Sequence, residues 1–238
     1  MEKIAVYPVS RSYVHKVTPS IKSLMMNSDV DGIILLTEMD SFEEYLPESV
    51  RLINVANQKF FPCDGLNIIK SNHAYLCMMR VVLADLLTEH SRVLSLDADT
   101  IVAREIGSEL WDLDLHGCHY AGVPEPSISQ RLGKPYANMG VAMFDLDRIR
   151  EDNLAKTMLF ALNNYNHHFL EQDCINENLK LFPISSDYNA CQFTEPSENP
   201  KILHFAYTAG WEQLDPVRQY DLMSWNVVED KWRARQGL

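Results

Sequence analysis

Short apolar segments alternate with helical patterns along the first half of this 238-residue chain. The segments Lys3–Pro8, Gly32–Thr37, Val50–Val55 and Arg92–Asp97 are rich in apolar residues and do not alternate strictly with polar ones. Such runs are typical of parallel strands that are covered on both faces of a sheet. From Tyr13 onward, apolar residues instead recur at helical spacing. The alternation predicts an α/β protein with a mainly parallel central sheet flanked by helices.

The later part of the chain continues the same pattern. Further helices are predicted at Ser71–Glu89, Asp147–Asn164 and Glu171–Leu179, and further strands at His119–Val123, Asn138–Leu146 and Lys201–Phe205. The sequence contains no internal repeat, no low-complexity tract and no obvious linker. A single domain over residues 1–238 is therefore the simplest organisation.

Net charge and glycine content exclude several classes of ligand. With 21 Lys+Arg against 33 Asp+Glu, the net charge of −12 argues against a nucleic acid partner. The nine glycines form no G-x-G-x-x-G motif, and Gly117 and Gly122 lack the Lys and Ser/Thr that complete a phosphate-binding loop. The C-x-x-C, H-E-x-x-H and G-x-S-x-G motifs are absent as well. An acidic chain that binds a phosphate compound without a glycine loop needs another cation, which indicates a metal ion.

Cysteine usage and the length of the apolar runs bear on location. The five cysteines are odd in number and far apart, which suits reduced thiols in a cytoplasm. No apolar run approaches the roughly 18 residues that a membrane-spanning helix needs. The first ten residues are predicted as a strand and lack the features of a signal peptide. A cytoplasmic protein without a transmembrane segment is therefore predicted.

Two carboxylates, Asp97 and Asp99, stand at the end of the strand Arg92–Asp97. If this segment is extended, the two side chains project to the same side. Two carboxylates about 4 Å apart repel by roughly 4 kcal/mol at an effective dielectric constant near 20, and protonation or a divalent ion removes that cost. The alternative is that Asp99 and Thr100 only cap a turn. The position at the carboxyl end of a strand, where α/β proteins bind ligands, favours a metal site.

Five blocks of sequence follow one another in an order that one enzyme family shares. The most specific block, Arg80–Val102, reads RVVLADLLTEHSRVLSLDADTIV and contains the D-x-D pair. The remaining blocks are Leu110–Leu115, Tyr136–Arg150, Glu171–Leu179 and Ile202–Phe205. In these blocks the chain resembles glycosyltransferase family 8, a group of retaining enzymes that use nucleotide sugars. The resemblance extends from Lys3 to about Trp211 and implies the GT-A fold, which agrees with the predicted order of strands and helices.

The resemblance implies a metal site and a nucleotide-sugar donor. Asp97, Ala98 and Asp99 are implied to contact the donor, and Asp97, Asp99 and His204 to hold the ion. Oxygen ligands alone suit Mg²⁺, whereas an added imidazole shifts the preference toward Mn²⁺. The predicted cofactor is therefore Mn²⁺, with Mg²⁺ as the alternative, and the predicted donor substrate is a UDP-sugar. By itself a single His in an apolar strand is more often a hydrogen-bonded core residue, so the prediction for His204 depends on the resemblance.

Arg80 lies on or beside the apolar stripe of its predicted helix. A buried guanidinium needs a partner. One candidate is a structural ion pair with Asp85 or Glu89, which are near it in sequence. The resemblance instead directs Arg80 to the donor site, where it would neutralise a diphosphate or an acidic sugar-binding residue.

Two further blocks are implied to hold the transferred sugar. Asn138 and Gly140 are donor contacts by resemblance, although an Asn can also simply open a strand, and Met139 replaces the usual Ala. Glu171, Gln172 and Asp173 match the family's D-Q-D, with the first acid longer by one methylene. The resemblance places that acid on sugar hydroxyls and the Gln near the reacting carbon. The alternative is an acidic, solvated helix N-terminus.

The nucleotide-binding residues are less distinctive. Tyr7, Pro8, Val9 and Tyr13 stand at positions that hold the uracil and ribose in the family, but each fits a core equally well. The family also has a Lys shortly after its metal-binding His, whereas this chain reads HFAYTAGW from His204 to Trp211. Either Arg80, Tyr207 or another cation replaces that Lys at the diphosphate, or the metal ion neutralises the leaving group alone.

These inferences predict a cytoplasmic, metal-dependent, retaining glycosyltransferase that moves a hexose from a UDP-sugar to an acceptor hydroxyl. A non-catalytic nucleotide-sugar-binding module is the alternative, because the Lys is missing and the first acid of D-Q-D is altered. A haloacid-dehalogenase-type phosphatase also has a D-x-D after a strand, but its Thr lies two residues beyond the second Asp, whereas Thr100 is adjacent. The acceptor stays open among glycan, lipid-linked sugar, protein and small molecule.

The resemblance also divides the predicted domain. Residues from about 1 to 105 form a nucleotide-binding half, those from about 106 to 215 a sugar and acceptor half, and residues 216–238 a tail. Trp225 and Trp232 with neighbouring basic residues would allow weak contact with a membrane surface. Glu229 and Asp230 dilute that positive charge, so a packed or solvated C-terminus is preferred.

Overall fold

The computed structural model describes residues 2–41, 45–60 and 74–238. Cys63 and the first three residues of the predicted helix Ser71–Glu89 lie outside these ranges. The strands within them are, in chain order, β1 Ile4–Pro8, β2 Gly32–Thr37, β3 Val50–Asn54, β4 Arg92–Leu96, β5 Thr100–Val102, β6 Tyr120–Pro124, β7 Ala137–Asp145, β8 Leu181–Pro183 and β9 Ile202–His204.

Seven of these strands form the main sheet, in the order β3-β2-β1-β4-β7-β6-β8. The pairs β1–β2, β1–β4, β2–β3 and β6–β8 are parallel, and β7 is antiparallel to both of its neighbours. The prediction of a mainly parallel sheet is confirmed. Because β4 is central, the acids that follow it lie at the middle of the carboxyl edge of the sheet.

Both faces of the sheet are covered, as the continuous apolar strands predict. Along β1, Ile4 and Val6 belong to one buried cluster, and Ala5 and Tyr7 belong to the other. Successive side chains of a strand point to opposite faces, so the two clusters lie on the two sides of the sheet. A strand that is buried on both faces has no position for a regular polar alternation.

The helices in the described residues flank this sheet. They are α1 Val14–Asn27, α2 Ala74–Met78, α3 Leu83–Leu86, α4 Ser108–Trp111, α5 Pro126–Leu132, α6 Leu146–Glu151, α7 Leu154–Asn164, α8 Leu170–Asn178, α9 Asp215–Asp221 and α10 Trp225–Gln236. None of the helices in the part of the chain that the structure describes has the length and apolar character needed to cross a membrane.

Two predicted helices are each divided in the structure. A 3-10 turn, Met79–Val82, separates α2 from α3, and all four of its residues are buried. The adjacent β-branched Val81 and Val82 favour a helix less than unbranched residues do. Farther along, α6 and α7 are separated at Asn153, whose φ of 55° is left-handed. Asn adopts that conformation more readily than most residues and so permits a break between the two helices. The helical spacing of the apolar residues continues across the break, which is why one helix was predicted.

Two short strands were not predicted. β8 adds to the edge of the main sheet, and β5 pairs with β9 in a separate antiparallel two-stranded sheet. In that small sheet, Thr100 lies opposite His204. Strands of three residues are too short for a period to appear in the sequence. The β5–β9 sheet nevertheless connects the D-x-D segment to a part of the chain about a hundred residues away.

The C-terminal helices pack against α1. The buried Lys22 donates from Nζ to the carbonyl oxygens of Asp221 and Met223, at 3.2 and 2.7 Å, and lies 5.1 Å from the ring centroid of Trp225. Trp232 donates from Nε1 to the carbonyl of Val30 at 2.7 Å. Both tail tryptophans are therefore engaged in packing, in agreement with the preferred prediction for residues 216–238.

Candidate active site

The D-x-D acids lie in a tight turn between β4 and β5. Thr100 donates from its hydroxyl to the carbonyl of Asp97 at 2.8 Å and so closes the turn. Asp97 in addition donates its backbone N–H to the carbonyl of Gly140 at 2.8 Å, which fixes the start of the turn on β7. The predicted extended geometry of this segment is wrong, because Ala98 and Asp99 form the turn. The turn still directs both carboxylates to one side, as predicted.

His204 reaches these acids through the β5–β9 sheet. Phe205 donates its N–H to the carbonyl of Asp99 at 2.9 Å, which continues the pairing of the two strands to the end of the turn. As a result, Nε2 of His204 lies 3.5 Å from Oδ2 of Asp97 and 3.5 Å from Oδ1 of Asp99. The structure therefore brings together the three predicted metal ligands.

The three side chains are strongly coupled electrostatically. Burial acts to lower the pKa of His204, but its interactions with Asp99, Cys191 and Asp97 outweigh that effect and raise the pKa to about 10. Burial conversely acts to raise the pKa of Asp99, and the interaction with His204 lowers it overall. In the protein alone, the imidazolium thus offsets part of the negative charge of the two acids. Binding of a cation between them requires release of that proton.

Gly140 provides the space that the His204 ring occupies. A Cβ atom at position 140 would lie 2.0 Å from Cε1 and 2.4 Å from Nδ1 of His204. No side chain is compatible with such distances unless the ring or the strand moves. Gly140 was predicted as a donor contact, and the structure gives it a separate role in placing the imidazole.

We expect Gly140→Ala to weaken Mn²⁺ binding about tenfold or more, because displacement of the ring removes one ligand from its position. The decrease of the EPR signal of free Mn²⁺ during titration measures this affinity. Gly107→Ala is the matched control, since the new methyl group there would meet only the end of the Glu109 side chain at 3.0 Å. Wild-type affinity in folded Gly140→Ala protein would contradict the assignment.

Arg80 joins the D-x-D acids to the predicted sugar-binding block. Its buried guanidinium contacts Oδ1 of Asp97, donates to Oε1 of Glu171 at 3.0 Å and donates to Oγ of Ser95 at 3.1 Å. Burial acts against the charge of Arg80, but Asp97 and Glu171 raise its pKa overall. The ion-pair partners are therefore long-range acids, and the sequence neighbour Glu89 instead pairs with Arg51 at 2.7 Å.

A second set of polar groups surrounds Glu125, which directly follows β6. Oε1 of Glu125 accepts hydrogen bonds from Nδ2 of Asn138 at 2.9 Å and from Nε2 of Gln172 at 3.1 Å. Oε1 of Gln172 accepts from the N–H of Met139 at 3.0 Å. Burial raises the pKa of Glu125, while the two amide donors act to lower it. Both predicted amides, Asn138 and Gln172, are thus oriented by one carboxylate.

The acids of the E-Q-D block have different surroundings. Burial raises the pKa of Glu171, and Arg80 acts to lower it. Asp173 accepts from the hydroxyl of Tyr136 at 2.6 Å and from the N–H of Phe169 at 2.8 Å. Glu171 therefore lies inside the site. Both carboxylate oxygens of Asp173 instead accept hydrogen bonds that hold the start of α8 in place. The solvated-terminus alternative does not describe Glu171, which is buried.

A cleft of about 650 Å³ contains most of the predicted site residues. The predicted residues that line it are Tyr13, Arg80, Asp97, Asp99, Asn138, Gly140, Glu171, Gln172, His204 and Tyr207. Metal ligands, amides and buried carboxylates thus share one cavity, which also receives the side chains of Glu125 and Cys77.

Other predicted contacts lie outside the walls of this cleft. The side chain of Tyr7 is fully buried and is hydrogen-bonded to Ser20 at 3.1 Å, and burial raises its pKa. Pro8 and Val9 are buried as well, and Ala98 packs against the core. None of these four residues lines the cleft, so their assignment as donor contacts stays a prediction.

Three residues near the site were missed from the sequence. Glu125 is an acid directly after a strand, a signal that the sequence does carry. Asn189 accepts at Oδ1 from Nδ1 of His204 at 2.9 Å, but it belongs to an irregular segment without a pattern. Lys16 is a cation beside the cleft, with Nζ 4.8 Å from the ring centroid of Tyr13 and paired with Glu212.

The described residues fit a divalent cation at one place. Asp97, Asp99 and His204 each offer a ligand atom, and these atoms lie within 4.8 Å of one another. The far nitrogen of the imidazole is hydrogen-bonded, as is usual for metal-binding histidines. Two carboxylate oxygens and one imidazole nitrogen form a donor set that can hold a divalent cation.

Comparison with known proteins agrees with this geometry. The model of the family described as Glycosyl transferase family 8 matches residues 5–209. General stress protein A of Bacillus subtilis (strain 168) is 26% identical over an alignment of 226 residues, and the match covers 77% of this chain and 78% of that protein.

Solved structures show the same fold at low sequence identity. The glycosyltransferase GlyE of Streptococcus pneumoniae TIGR4 superposes with a TM-score of 0.71 at 19% identity, over 99% of this chain and 64% of GlyE. This chain thus spans slightly less than two thirds of GlyE. The galactosyltransferase LgtC, solved with donor and acceptor sugar analogs, has a TM-score of 0.68 at 16% identity, over 99% of this chain and 96% of LgtC.

Proposed function

The chain belongs to glycosyltransferase family 8, with the GT-A fold, and from this premise we propose that it transfers a hexose from a UDP-sugar to an acceptor hydroxyl with retention of configuration. The proposed hexose is glucose, galactose or an N-acetyl form. The observation that carries the proposal is the convergence of Asp97, Asp99 and His204 in the same cleft as the buried acids Glu125 and Glu171.

The metal site supports a diphosphate leaving group. Asp97, Asp99 and His204 would hold Mn²⁺, which supplies Lewis-acid stabilisation of the negative charge that develops on the diphosphate. The protein has a net charge of −12, so its overall field does not attract a nucleotide. The guanidinium of Arg80 is already paired with the carboxylates of Asp97 and Glu171. Binding of the donor therefore depends on the cation, and a chelator is expected to abolish it.

The amides and carboxylates support a bound sugar. Glu125, Asn138, Glu171 and Gln172 line one part of the cleft, and such groups are the usual partners of sugar hydroxyls. Their orientations are already set by the hydrogen bonds among them and to Arg80. A preformed set of this kind lowers the entropic cost of holding the sugar at a fixed position.

Neither Cys77 nor Gln172, which both line the cleft, is well suited to act as a nucleophile. Burial raises the pKa of Cys77 to about 12, so its thiol stays protonated at neutral pH. Gln172 has both ends of its amide engaged. We therefore favour direct attack by the acceptor oxygen on the face from which UDP leaves. The bond from the sugar to UDP breaks, the bond to the acceptor oxygen forms, and the acceptor proton passes to the departing phosphate oxygen.

The test is UDP release from a panel of donors. Purified protein is incubated with UDP-glucose, UDP-galactose and their N-acetyl forms, with either Mn²⁺ or a chelator. We expect release of UDP from at least one donor in the presence of Mn²⁺ only. Binding of UDP-sugars without turnover, in the presence of a saccharide acceptor, would instead support the non-catalytic module. The family match leaves no ground for the phosphatase alternative.

Exposed aromatic rings at the cleft support a saccharide as the acceptor. Phe193 and Tyr207 form an edge-to-face pair with centroids 5.9 Å apart, and Tyr207 is 88% exposed. His168 and Phe169 form a second pair, with centroids 4.5 Å apart. All four residues line the cleft. The C–H face of a sugar ring packs well on such rings, whereas its hydroxyls remain available to solvent and polar groups.

We expect Phe193→Ala to raise the KM for a saccharide acceptor about tenfold, since a ring contact of this kind contributes about 1 kcal/mol or slightly more. The KM for the donor is expected to change much less. Initial rates at varied acceptor and donor concentrations measure both. Phe160→Ala is the matched control, because Phe160 on α7 forms a similar exposed pair with Tyr165, outside the cleft. An equal change in both KM values would contradict the assignment.

A further inference from the structure

We propose that Asn189 is a positioning residue that holds His204 in the ring orientation and the tautomer needed for metal binding. The inference rests on the proposed metal site of Asp97, Asp99 and His204. Asn189 itself does not touch that site. It acts through Nδ1 of His204, the ring nitrogen that points away from the two acids.

The direction of the hydrogen bonds follows from a backbone group whose role is fixed. The N–H of Gly140 can only donate, and it donates to the side chain of Asn138 at 2.9 Å, so the atom there is Oδ1. The other end of that amide is then Nδ2, and it donates to Oε1 of Glu125 at 2.9 Å. A carboxylate accepts at this position without conflict. Asn138 therefore has one possible orientation.

The same reasoning extends to Asn189 and His204. The Asn189 atom 3.0 Å from Oδ1 of Asn138 has to be Nδ2, because only a donor satisfies that oxygen. Oδ1 of Asn189 then faces Nδ1 of His204 at 2.9 Å, so Nδ1 carries a proton. With Nδ1 protonated, the lone pair available for a metal ion belongs to Nε2. That atom is the one that faces Asp97 and Asp99.

Burial makes this arrangement difficult to replace. Asn189 has no exposed surface, and its backbone carbonyl accepts a hydrogen bond from the hydroxyl of Thr194 at 2.9 Å. Cys191 also contacts His204, but a thiol is a weak hydrogen-bonding group. Without the amide of Asn189, the imidazole would lose the strong partner that selects its tautomer and the angle of its ring. Outer partners of this kind typically change metal affinity about 10- to 100-fold.

The chain of amides also connects the two parts of the cleft. It starts at His204, continues through Asn189 and Asn138, and ends on Glu125, which also accepts from Gln172. The proposed metal ligand and the proposed sugar contacts are therefore oriented by one set of hydrogen bonds. Replacement of Asn189 is expected to change the Mn²⁺ affinity more than the sugar contacts, because His204 is its direct partner.

The test compares Mn²⁺ binding by the wild-type protein with binding by Asn189→Ala, Asn189→Ser and Asn189→Asp. Mn²⁺ alone is titrated and the EPR signal of the free ion is recorded. We expect affinity to fall about 10- to 100-fold in the Ala and Ser variants. Ser keeps the space polar, so it tests the same loss if Ala does not fold. Asp still accepts a hydrogen bond from Nδ1 but cannot donate to Oδ1 of Asn138, so its affinity is expected to lie between that of the wild type and that of the Ala variant.

Asn176→Ala serves as the control for general loss of stability. Asn176 is also buried, and its side chain makes four hydrogen bonds with Tyr120, Ala137 and Gln172, away from His204. We expect a lower unfolding midpoint with unchanged Mn²⁺ affinity. The transfer assay adds a second readout. In it, Asn189→Ala is expected to need more Mn²⁺ than the wild type for its half-maximal rate and to recover kcat at saturating Mn²⁺.

Three results would overturn the proposal: wild-type affinity in Asn189→Ala or Asn189→Ser, equal losses in Asn189→Ala and Asn189→Asp, or an equal loss in Asn176→Ala. Failure of the proposed function gives a different result, since a wild-type protein that binds no Mn²⁺ would lack the metal site altogether. Binding by the wild type with no effect at position 189 would overturn only the role of Asn189.

Discussion

Replacement of Asp99 by Ala is expected to lower the Mn²⁺-dependent kcat/KM for the UDP-sugar about a thousandfold, because loss of metal-assisted charge stabilisation costs several kcal/mol of the barrier. Asp99 is the sharper choice of the two acids, since Asp97 is also bound by Arg80. Removal of Asp99 therefore affects the metal site without removing a partner of the buried Arg80 guanidinium. Initial rates of UDP release and Mn²⁺ binding measured on the same preparation check this result.

Asp114→Ala is the matched control for the Asp99 variant. Asp114 is exposed and lies 3.3 Å from Nδ1 of His116, outside the cleft. Its replacement is expected to leave Mn²⁺ binding and the rate unchanged. A folded Asp99→Ala protein that retains metal-stimulated UDP release would refute the assignment of the metal ligands. A chelator added to the wild type is expected to reproduce the defect.

Arg80→Met is expected to lower the free energy of unfolding by about 3–5 kcal/mol, because it removes one partner of a buried ion pair. The Arg80 side chain is 2% exposed and contacts both Asp97 and Glu171. Asp97 is partly exposed and can be hydrated after the change, whereas Glu171 would remain buried without a counter-charge. Urea denaturation followed by fluorescence measures the loss.

The pH dependence of that loss identifies Glu171 as its source. Burial already holds the pKa of Glu171 above its ordinary value, and Arg80 opposes the rise. Without Arg80 the pKa rises further. A carboxyl group with a raised pKa in the folded state favours folding only while it is protonated. The deficit of Arg80→Met relative to wild type is therefore expected to be largest at neutral pH and to shrink as the pH falls through the raised pKa of Glu171, before the ordinary Glu pKa is reached.

Two further variants separate this effect from simple loss of an arginine. Arg51 pairs with Glu89 at 2.7 Å on the surface, and Arg51→Met is expected to cost less than about 1 kcal/mol. The double variant Arg80→Met/Glu171→Gln removes the buried charge and is expected to recover part of the lost stability. A deficit for Arg80→Met that does not change with pH would refute the role of Glu171.

The fold was largely predictable because its signals are local. Apolar runs predicted β1, β2, β3 and β4 to within one or two residues, since burial of both faces of a parallel strand requires a continuous run. The helix over residues 147–164 was predicted without its break, because helical spacing persists across Asn153 although its backbone is left-handed. The short strands β5 and β8 gave no signal, because three residues do not define a period.

The candidate site was predictable only in part. The D-x-D pair was found from its place after a central strand, and His204 from the resemblance to family 8 glycosyltransferases. The partners of Arg80 were not predicted, because Asp97 and Glu171 are distant in sequence and close only in the fold. Glu125 was overlooked although it directly follows a strand.

The sequence by itself determined the order of strands and helices, the acids that follow β4 and the family. Only the tertiary structure decided which groups meet: the pairing of β5 with β9 brings His204 to Asp99, the missing side chain of Gly140 admits the imidazole, and Asn189 orients it. The physical reason is the distance along the sequence between the residues that determine each feature. Periodicity and strand ends depend on neighbouring residues, whereas a metal site and its buried hydrogen bonds depend on crossings of distant segments.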